Sequence, residues 1–433
     1  MPTIGGTLFL FANTGGICFN ISTNDHCRRC YMGFTITGTG CSLLDKLYTD
    51  IDFASPVFQR YTAVREGDGG IVPGKLVFAE EFGKFAGESF ETTLNRITGG
   101  KGPDSENLGG PSIVSLINTA QLLAEKPVGV EFYGTLGDDE IADTILGIIR
   151  KTPVDINHYE KTTGPSPSTV VLSDPRWDDG HGERAFINTI GAAWNCTPGH
   201  LRTGFWKGDV LCFGGTALVP NIHDNLTSLV AGGKKNGSVT VINTVYDFRN
   251  QNREPEGKWP LGESDDTYAF TDLLIMDHEE ALRLSGKRNL EEAVSFFILK
   301  KTGSFIITHG VDSVTLYSGG DLFDKMGPAE IPVSWEVGQR LREGTSPAGD
   351  TTGCGDNFAG GVIASLASQL MRKGHDGLDL IEAAAWGVCS GGFACFYTGG
   401  TYLESAPGDK LDKIVDLLKK YRKQTGGSFP DTL

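Results

Sequence analysis

A doubly wound, three-layer α/β fold, with a mostly parallel sheet covered by helices on both faces, is the fold class this chain predicts. Its first support is that short apolar runs alternate with segments of helical period along most of the length. The second is size: 433 residues, 39% of them hydrophobic and 21% charged, suffice for one large α/β domain with a smaller appendage. The third is that only two stretches break the alternation, and both are rich in turn residues.

Taken in order, the expected strands are Phe34 to Thr39, Val128 to Tyr133, Asp209 to Phe213, Val239 to Asn243, Leu273 to Met276, Phe305 to Thr308 and Val314 to Tyr317. Helical spacing predicts Ile113 to Ala124, Ile141 to Arg150, Asn221 to Ala231, Leu290 to Lys301, Asn357 to Met371, Leu380 to Phe393 and Lys410 to Tyr421. In such a sheet ligands collect beyond the carboxyl ends of the strands, where Gly40, Gly134, Asn243, Asp277 and Thr308 fall. The breaks are residues 47–108, with much glycine and charge and little helical period, and residues 165–193, with strand-like Thr169 to Leu172 and Ala185 to Ile187.

The most informative segment is Asp350-Thr351-Thr352-Gly353-Cys354-Gly355-Asp356. Phe358, Val362, Ile363, Leu366 and Leu370 recur at helical spacing after it, so the two glycines sit just before a first helical turn. The N–H groups of Gly353, Cys354 and Gly355 would carry partial positive charge there, with little side chain to keep an anion away. Asp356, on the same turn, can take a proton from an attacking hydroxyl. Positioned donors plus a base are what phosphoryl transfer requires. Read alone, Asp356 would be a helix cap; the flanking glycines favour the catalytic reading.

The string from Asp350 to Asp356, continuing through Asn357, Phe358, Ala359, Gly360 and Gly361, resembles the C-terminal signature of the ribokinase or pfkB family of carbohydrate kinases. Further segments resemble the family in order. Phe34 to Thr39 resembles its first core strand, Asp45 its sugar-binding aspartate, Gly109-Gly110 the double glycine against the sugar, and Gly134 to Asp139 its GxxGxD element. Gly182-Glu183-Arg184 resembles a "GER" turn, Asp277 to Glu280 the element near magnesium and phosphates, and Thr308-His309-Gly310 a nucleotide contact. The likeness spans about Phe34 to Thr401.

The resemblance implies a ribokinase-like, Rossmann-like domain over 34–433, with a small β-strand lid from 47–108 and 165–193 that closes over the sugar and offers a surface for a homodimer. It implies ATP and Mg²⁺ as cofactors, Asp356 as base, Gly353, Cys354 and Gly355 as anion hole, and Asp45, Gly109 and Gly110 against the sugar. Asn243, Asp277, Thr308 and Gly310 would meet the nucleotide, Glu280 would hold Mg²⁺ through water, and Asp350 with the Thr352 carbonyl would hold a monovalent cation such as K⁺. Three positions depart from the family pattern. Val114 stands where an asparagine usually contacts the sugar, Asp277 replaces the usual asparagine, and His278 replaces a glutamate.

Composition limits the partners. A net charge of −16 and a pI near 5.0 argue against nucleic-acid or anionic-membrane surfaces, so any phosphate affinity must be local. No apolar run reaches a membrane span and no positive n-region opens the chain, so a cytoplasmic protein is expected. Nine scattered cysteines fit reduced thiols. Residues 1–33 form an extension without assigned role, where Cys18, His26, Cys27 and Cys30 are weak evidence for zinc. Gly38 and Gly40 lack the third glycine of a dinucleotide fingerprint, Leu43 standing there, and no P-loop pattern occurs. Three functions follow for comparison: a sugar kinase, a nucleoside kinase of the adenosine type, and a catalytically silent sugar or nucleotide sensor.

Overall fold

A strand that will be covered by helices on both faces has to be apolar on both, and the expected strand segments meet that condition. The computed structural model describes residues 33–65, 67–180, 182–346, 349, 351–427, 430 and 432–433. The cysteine and histidine group near the N-terminus and Asp350 therefore lie outside the described residues. The strands are β1 (Phe34–Gly40), β2 (Leu43–Tyr48), β3 (Leu76–Phe78), β4 (Ser105–Gly109), β5 (Val128–Leu136), β6 (Asp155–Lys161) and β7 (Ser168–Asp174). They continue with β8 (Glu183–Thr189), β9 (Val210–Gly214), β10 (Val239–Asn243), β11 (Leu273–Asp277), β12 (Ser304–Thr308), β13 (Ser313–Ser318) and β14 (Met326–Pro332).

The main sheet has the order β14-β13-β12-β11-β10-β9-β1-β5-β6. From β12 to β6 every pairing is parallel, and β13 and β14 are antiparallel at one edge. The winding direction reverses at β1, which lies between β5 and β9, so the crevice for a ligand opens at its carboxyl end. Helices on one face bury Ile117, Phe358, Ile363, Trp386 and Leu417 against the sheet. On the other face Phe213, Leu229, Ile242 and Phe297 form the second core. Each such side chain contributes about 1.5–3 kcal/mol relative to exposure, and the two layers fix where the strand ends lie.

All seven expected strands form, with ends that match or shift by at most three residues. Strands β6 and β14 were not expected. Both are sheet edges and only partly covered, so their sequences, DINHYEK and MGPAEIP, are polar at most positions and lack the apolar run of an interior strand. The helix expected over Asn221 to Ala231 is two helices, Pro220–His223 and Leu226–Lys235, interrupted at Asp224 and Asn225. Asp224 there pairs with Arg249.

The reading of 47–108 as poor in helix is corrected. It contains Pro56–Gln59, Ala79–Ala86 and Phe90–Ile97. Ser55 and Ser89 cap the first and third through their hydroxyls, to Phe58 N–H at 3.2 Å and Thr92 N–H at 3.3 Å. These helices are short, and an aromatic core anchors them rather than a long apolar stripe. That core, with Phe53, Phe58, Tyr61, Phe82, Leu172 and Ile187, backs a second sheet of order β3-β8-β7-β2-β4.

The GxxGxD element fastens the two sheets. A Cβ on Gly137 would lie 2.3 Å from the Gly164 carbonyl oxygen, so the chain passes there only as glycine. Asp139 caps the helix Glu140–Ile149 through Ala142 N–H at 2.9 Å and also accepts from Ser166 N–H at 2.8 Å and Ser166 Oγ at 2.6 Å. Ser166 leads directly into β7. Asp139→Ala is expected to lower stability by roughly 2–4 kcal/mol, from a lost cap and lost charge-assisted bonds. Urea unfolding at pH 7 measures it; a loss under ~1 kcal/mol would show that the junction is held elsewhere.

Candidate active site

At the reversal point the backbones are too close for side chains. A Cβ on Gly40, where φ is +134°, would lie 1.8 Å from the Gly214 carbonyl oxygen. The chain leaves β1 through Cys41, whose N–H donates to Gly214 O at 2.8 Å and whose carbonyl accepts from Ser112 N–H at 3.1 Å, at the start of the helix Pro111–Leu122. The double glycine read from sequence serves this crossing. A Cβ on Gly109 would lie 2.1 Å from Asp45 Oδ2, and one on Gly110 would lie 2.6 Å from Cys41 O. Asp45, half-buried on β2, is thereby held beside the carboxyl end of β1.

Asp356 approaches the same place from the other side. It lies in the first turn of the helix Cys354–Lys373, whose N-cap is Gly353 in the left-handed region at φ +74°. Burial, followed by the charges of Asp356 and Asp45, raises the Cys41 thiol well above its ordinary value, so both carboxylates lie within electrostatic reach of one residue. The Asp356 side chain keeps partial exposure, yet enough protein surrounds its carboxyl for burial to push its pKa up to about 7.

The anion hole differs in one detail from expectation. The Cys354 amide donates to the Thr351 carbonyl at 3.3 Å, whereas the Gly355 and Asp356 amides make no hydrogen bond among the described residues. Apart from its two neighbours and its own helix backbone, no described residue comes within 4 Å of where a Gly355 Cβ would be. Of the three amides expected to face an anion, only that of Cys354 is thus engaged within the turn, and the Asp356 amide adds a further open donor among the described residues. Thr352 is half-buried in the turn before them.

The turn rests on a buried polar group. Asn357 Nδ2 donates to Gly353 O at 2.9 Å and to Gly400 O at 2.8 Å, and its Oδ1 accepts from Lys410 Nζ at 2.9 Å. Asn118 Nδ2 donates to the Asn357 carbonyl at 2.9 Å. Lys410 is 1% exposed, and burial pushes its pKa down to about 7, the charge of Glu404 opposing the shift. Gly360 and Gly361 let the helix seat deeply: Cβ atoms there would lie 2.5 Å from Ser115 O and 2.5 Å from Ser390 Oγ.

The remaining candidates lie along the neighbouring strand ends. Asn243 closes β10 next to Gly214, and Asp277, closing β11, is paired in register with Thr308 of β12. Asn243 is buried and donates to Pro111 O at 3.2 Å, which ties β10 to the helix start. Asp277 and Glu280 form a capping box: Asp277 Oδ1 accepts from Glu280 N–H at 2.8 Å and Glu280 Oε2 from Asp277 N–H at 2.9 Å. Glu280 Oε2 also accepts from Thr244 Oγ1 at 2.5 Å, and burial, then the Asp277 charge, raises its pKa. His278 stacks on His309 at 4.2 Å, joining the two strand ends through ring faces.

Among the described residues no three His, Cys, Asp or Glu side chains cluster as a metal site by themselves. The donor set still suits Mg²⁺, which keeps several waters and takes phosphate oxygens with one or two carboxylates. Glu280 Oε1 and Asp277 Oδ2 are the oxygens that the capping box does not use.

A cavity of about 470 Å³ opens beside the Gly355 amide. Its floor includes Thr308, Gly310, Cys354 and Gly355, and its walls include Val314, Val337, Leu341 and Phe358. A family model for pfkB family carbohydrate kinases matches residues 106–406, most of the chain. The chain belongs to the pfkB family. Solved structures share the fold. An adenosine kinase from Sinorhizobium meliloti aligns with TM-score 0.62 and 18% identity over 91% of this chain and 99% of its own. A Thermotoga maritima ribokinase aligns at 0.54 and 15% over 89% and 99%. An E. coli protein assigned as a ribokinase II, with ATP and Mg²⁺ bound, aligns at 0.57 and 17% over 88% and 99%.

Two features of this pfkB kinase escaped the sequence reading. The cavity wall from the helix Trp335–Glu343 was not expected, although Val337 and Leu341 recur at helical spacing after Ser334. Lys410 was read only as the start of a helix, and nothing local connects it with Asn357. Val114, at the family's asparagine position, is buried and its Cγ2 lies 3.2 Å from where a Gly400 Cβ would be. That position holds the Gly400 loop by apolar contact.

Asn357→Ala should expose the weight of the buried group. It removes both bonds to the turn and strands the Lys410 ammonium, for an expected loss of about 3 kcal/mol. A lysine with a depressed pKa withdraws stability as pH falls from its unfolded value toward the folded one, and loss of its acceptor depresses that pKa further. The deficit should therefore be larger at pH 6 than at pH 9 in urea titrations. An equal deficit at both would assign the loss to packing alone.

Proposed function

We propose that the chain is an ATP-dependent kinase that phosphorylates a hydroxyl of a sugar or sugar derivative, with Asp356 as the general base. The observation that carries this reading is that Asp45, on β2, and Asp356, in the first turn of the helix Cys354–Lys373 and far away in sequence, both act on Cys41 at the winding reversal, beside open amides and an apolar-walled cavity. Asp45 orients the acceptor hydroxyls over Gly109 and Gly110. Asp356 takes the proton of the attacking hydroxyl as that oxygen meets the γ-phosphorus. The Gly355 and Asp356 amides, with the Gly353–Cys354 turn, receive the charge of the equatorial oxygens.

The adenine ring has a place between Val314, Val337 and Leu341, and Thr308 and Gly310 lie along the path to the phosphates. Mg²⁺, when bound, neutralises phosphate charge, with Glu280 and Asp277 as its protein-side partners through water. Asp350 and the Thr352 carbonyl are the candidates for a monovalent cation. The second sheet acts as the lid that excludes water from the acceptor.

A nucleoside acceptor is the second reading, supported by the adenosine kinases that share the fold. The Thr351-Thr352 pair favours the sugar. An ATP-consumption screen over hexoses, pentoses, their phosphates and nucleosides separates the two, and ligand binding without turnover on any acceptor would favour the sensor.

Asp356→Asn is expected to retain ATP binding and lose at least ~10² in kcat. In the wild type kcat/KM should rise with pH through about 7 and then level, because only the ionised carboxylate accepts the proton. The same raised pKa costs the fold stability as pH rises from the unfolded value, so the variant should gain on the wild type between pH 5 and pH 8. Near-normal turnover, or an acid limb unchanged in the variant, would remove Asp356 from the mechanism.

A further inference from the structure

Cys354 Sγ and Cys395 Sγ lie 3.4 Å apart, in contact but not bonded. Cys354 is the first residue of the helix Cys354–Lys373, and Cys395 is the C-cap of the helix Leu380–Ala394. The two helix ends meet closely, because a Cβ on Gly391 would lie 2.8 Å from Cys354 O. Both cysteines line the 470 Å³ cavity and keep partial exposure, whereas Cys41, Cys196, Cys212 and Cys389 are buried. A small oxidant entering the nucleotide cavity thus meets this pair.

We propose that Cys354 and Cys395 are an oxidation site, a dithiol that a hydroperoxide converts to a disulfide and that thereby closes the anion hole to ATP. Cys354, which lines the cavity beside Gly355, supplies the attacking sulfur, as its thiolate. It attacks one peroxide oxygen, the O–O bond breaks, and water leaves after protonation, which gives a sulfenic acid on Cys354. The Cys395 thiolate attacks that sulfur, the S–O bond breaks, and a second water leaves. Two thiols lose two electrons and one hydrogen peroxide gains them, with two waters formed; a dithiol reductant reverses the result.

A disulfide has sulfurs about 2.05 Å apart, so the pair must close by roughly 1.3 Å. The residue that moves is the one whose neighbours, Gly355 and Asp356, present the open amides. A misplacement of about 1 Å costs on the order of 10² in a preorganised site. The effect on ATP rests on the kinase reading above; formation of the bond does not.

The experiment exposes the purified protein to hydrogen peroxide, blocks remaining thiols, and digests it for mass spectrometry, with Mg-ATP affinity measured by calorimetry on the same samples. A Cys354–Cys395 linked peptide, at least a tenfold loss of Mg-ATP affinity, and recovery of both with dithiothreitol are expected. Cys395→Ser, or Cys395→Ala if the first variant folds poorly, should yield no linked peptide and no peroxide-dependent loss of affinity. Absence of the linked peptide from folded, peroxide-treated wild type overturns the proposal, as does a linked peptide with unchanged affinity. If the reduced protein binds no Mg-ATP, the kinase function fails instead, and the linked peptide alone decides whether the pair is an oxidation site.

Discussion

Everything at the start of the helix Cys354–Lys373 depends on one left-handed residue held between two loops. Gly353 has φ +74°, and a Cβ there would lie 2.4 Å from Gly400 Cα. The turn is therefore closed by backbone against backbone, which only glycine permits. Asn357 bridges the two sides, one Nδ2 serving both carbonyls, and Lys410 fixes which way that amide faces. Sequence supplies the glycine, the turn aims the amides, and the buried asparagine keeps the aim. Without that clamp the helix would still form from its apolar stripe, but its first amides would have no fixed direction.

Burial moves two groups in this region in opposite directions. It raises Asp356 to about 7 and lowers Lys410 to about 7, because each charged form is disfavoured where water is scarce. For Asp356 the shift brings a carboxyl to the pKa at which a base is both ionised and proton-hungry near neutral pH. For Lys410 it is a cost of placing an amine under the turn, offset by the Asn357 acceptor and by Glu404. The same dryness that raises the Asp356 carboxyl makes the supporting lysine expensive.

Much of this arrangement was legible in the chain. Seven strands, the helix behind the glycines and the Gly353–Asp356 turn follow from local spacing, because a turn or an interior strand writes its requirement into adjacent residues, whereas Asp45 and the double glycine came only with the family resemblance. The rest was not local. Lys410 meets Asn357 across 53 residues, and no spacing rule announces it. Strands β6 and β14 look polar because edges are half wet. The short helices between residues 56 and 97 rely on aromatic packing, and the cavity wall at Val337 and Leu341 has too few turns to show a period. The Cys354 N–H is engaged because it closes the turn on Thr351, a detail of geometry that composition does not encode.

Charge balance links these parts. The chain carries a net charge of −16, and in the proposed kinase Asp45, Asp277, Glu280 and Asp356 would all lie near the further negative charge of ATP. Among the described residues that line the cavity, Arg342 is the single cationic side chain, and Lys410 lies buried beneath the turn rather than facing it. In the proposed kinase, attraction for phosphate would then rest on helix-terminal amides and on a cation brought with the nucleotide. Amides aimed by backbone cannot swing away as a lysine can, so a site built this way would gain precision at the cost of relying on a metal. On that reading the heavy bracing of the turn has a purpose: with few side-chain cations to compensate, a displaced amide would have no substitute.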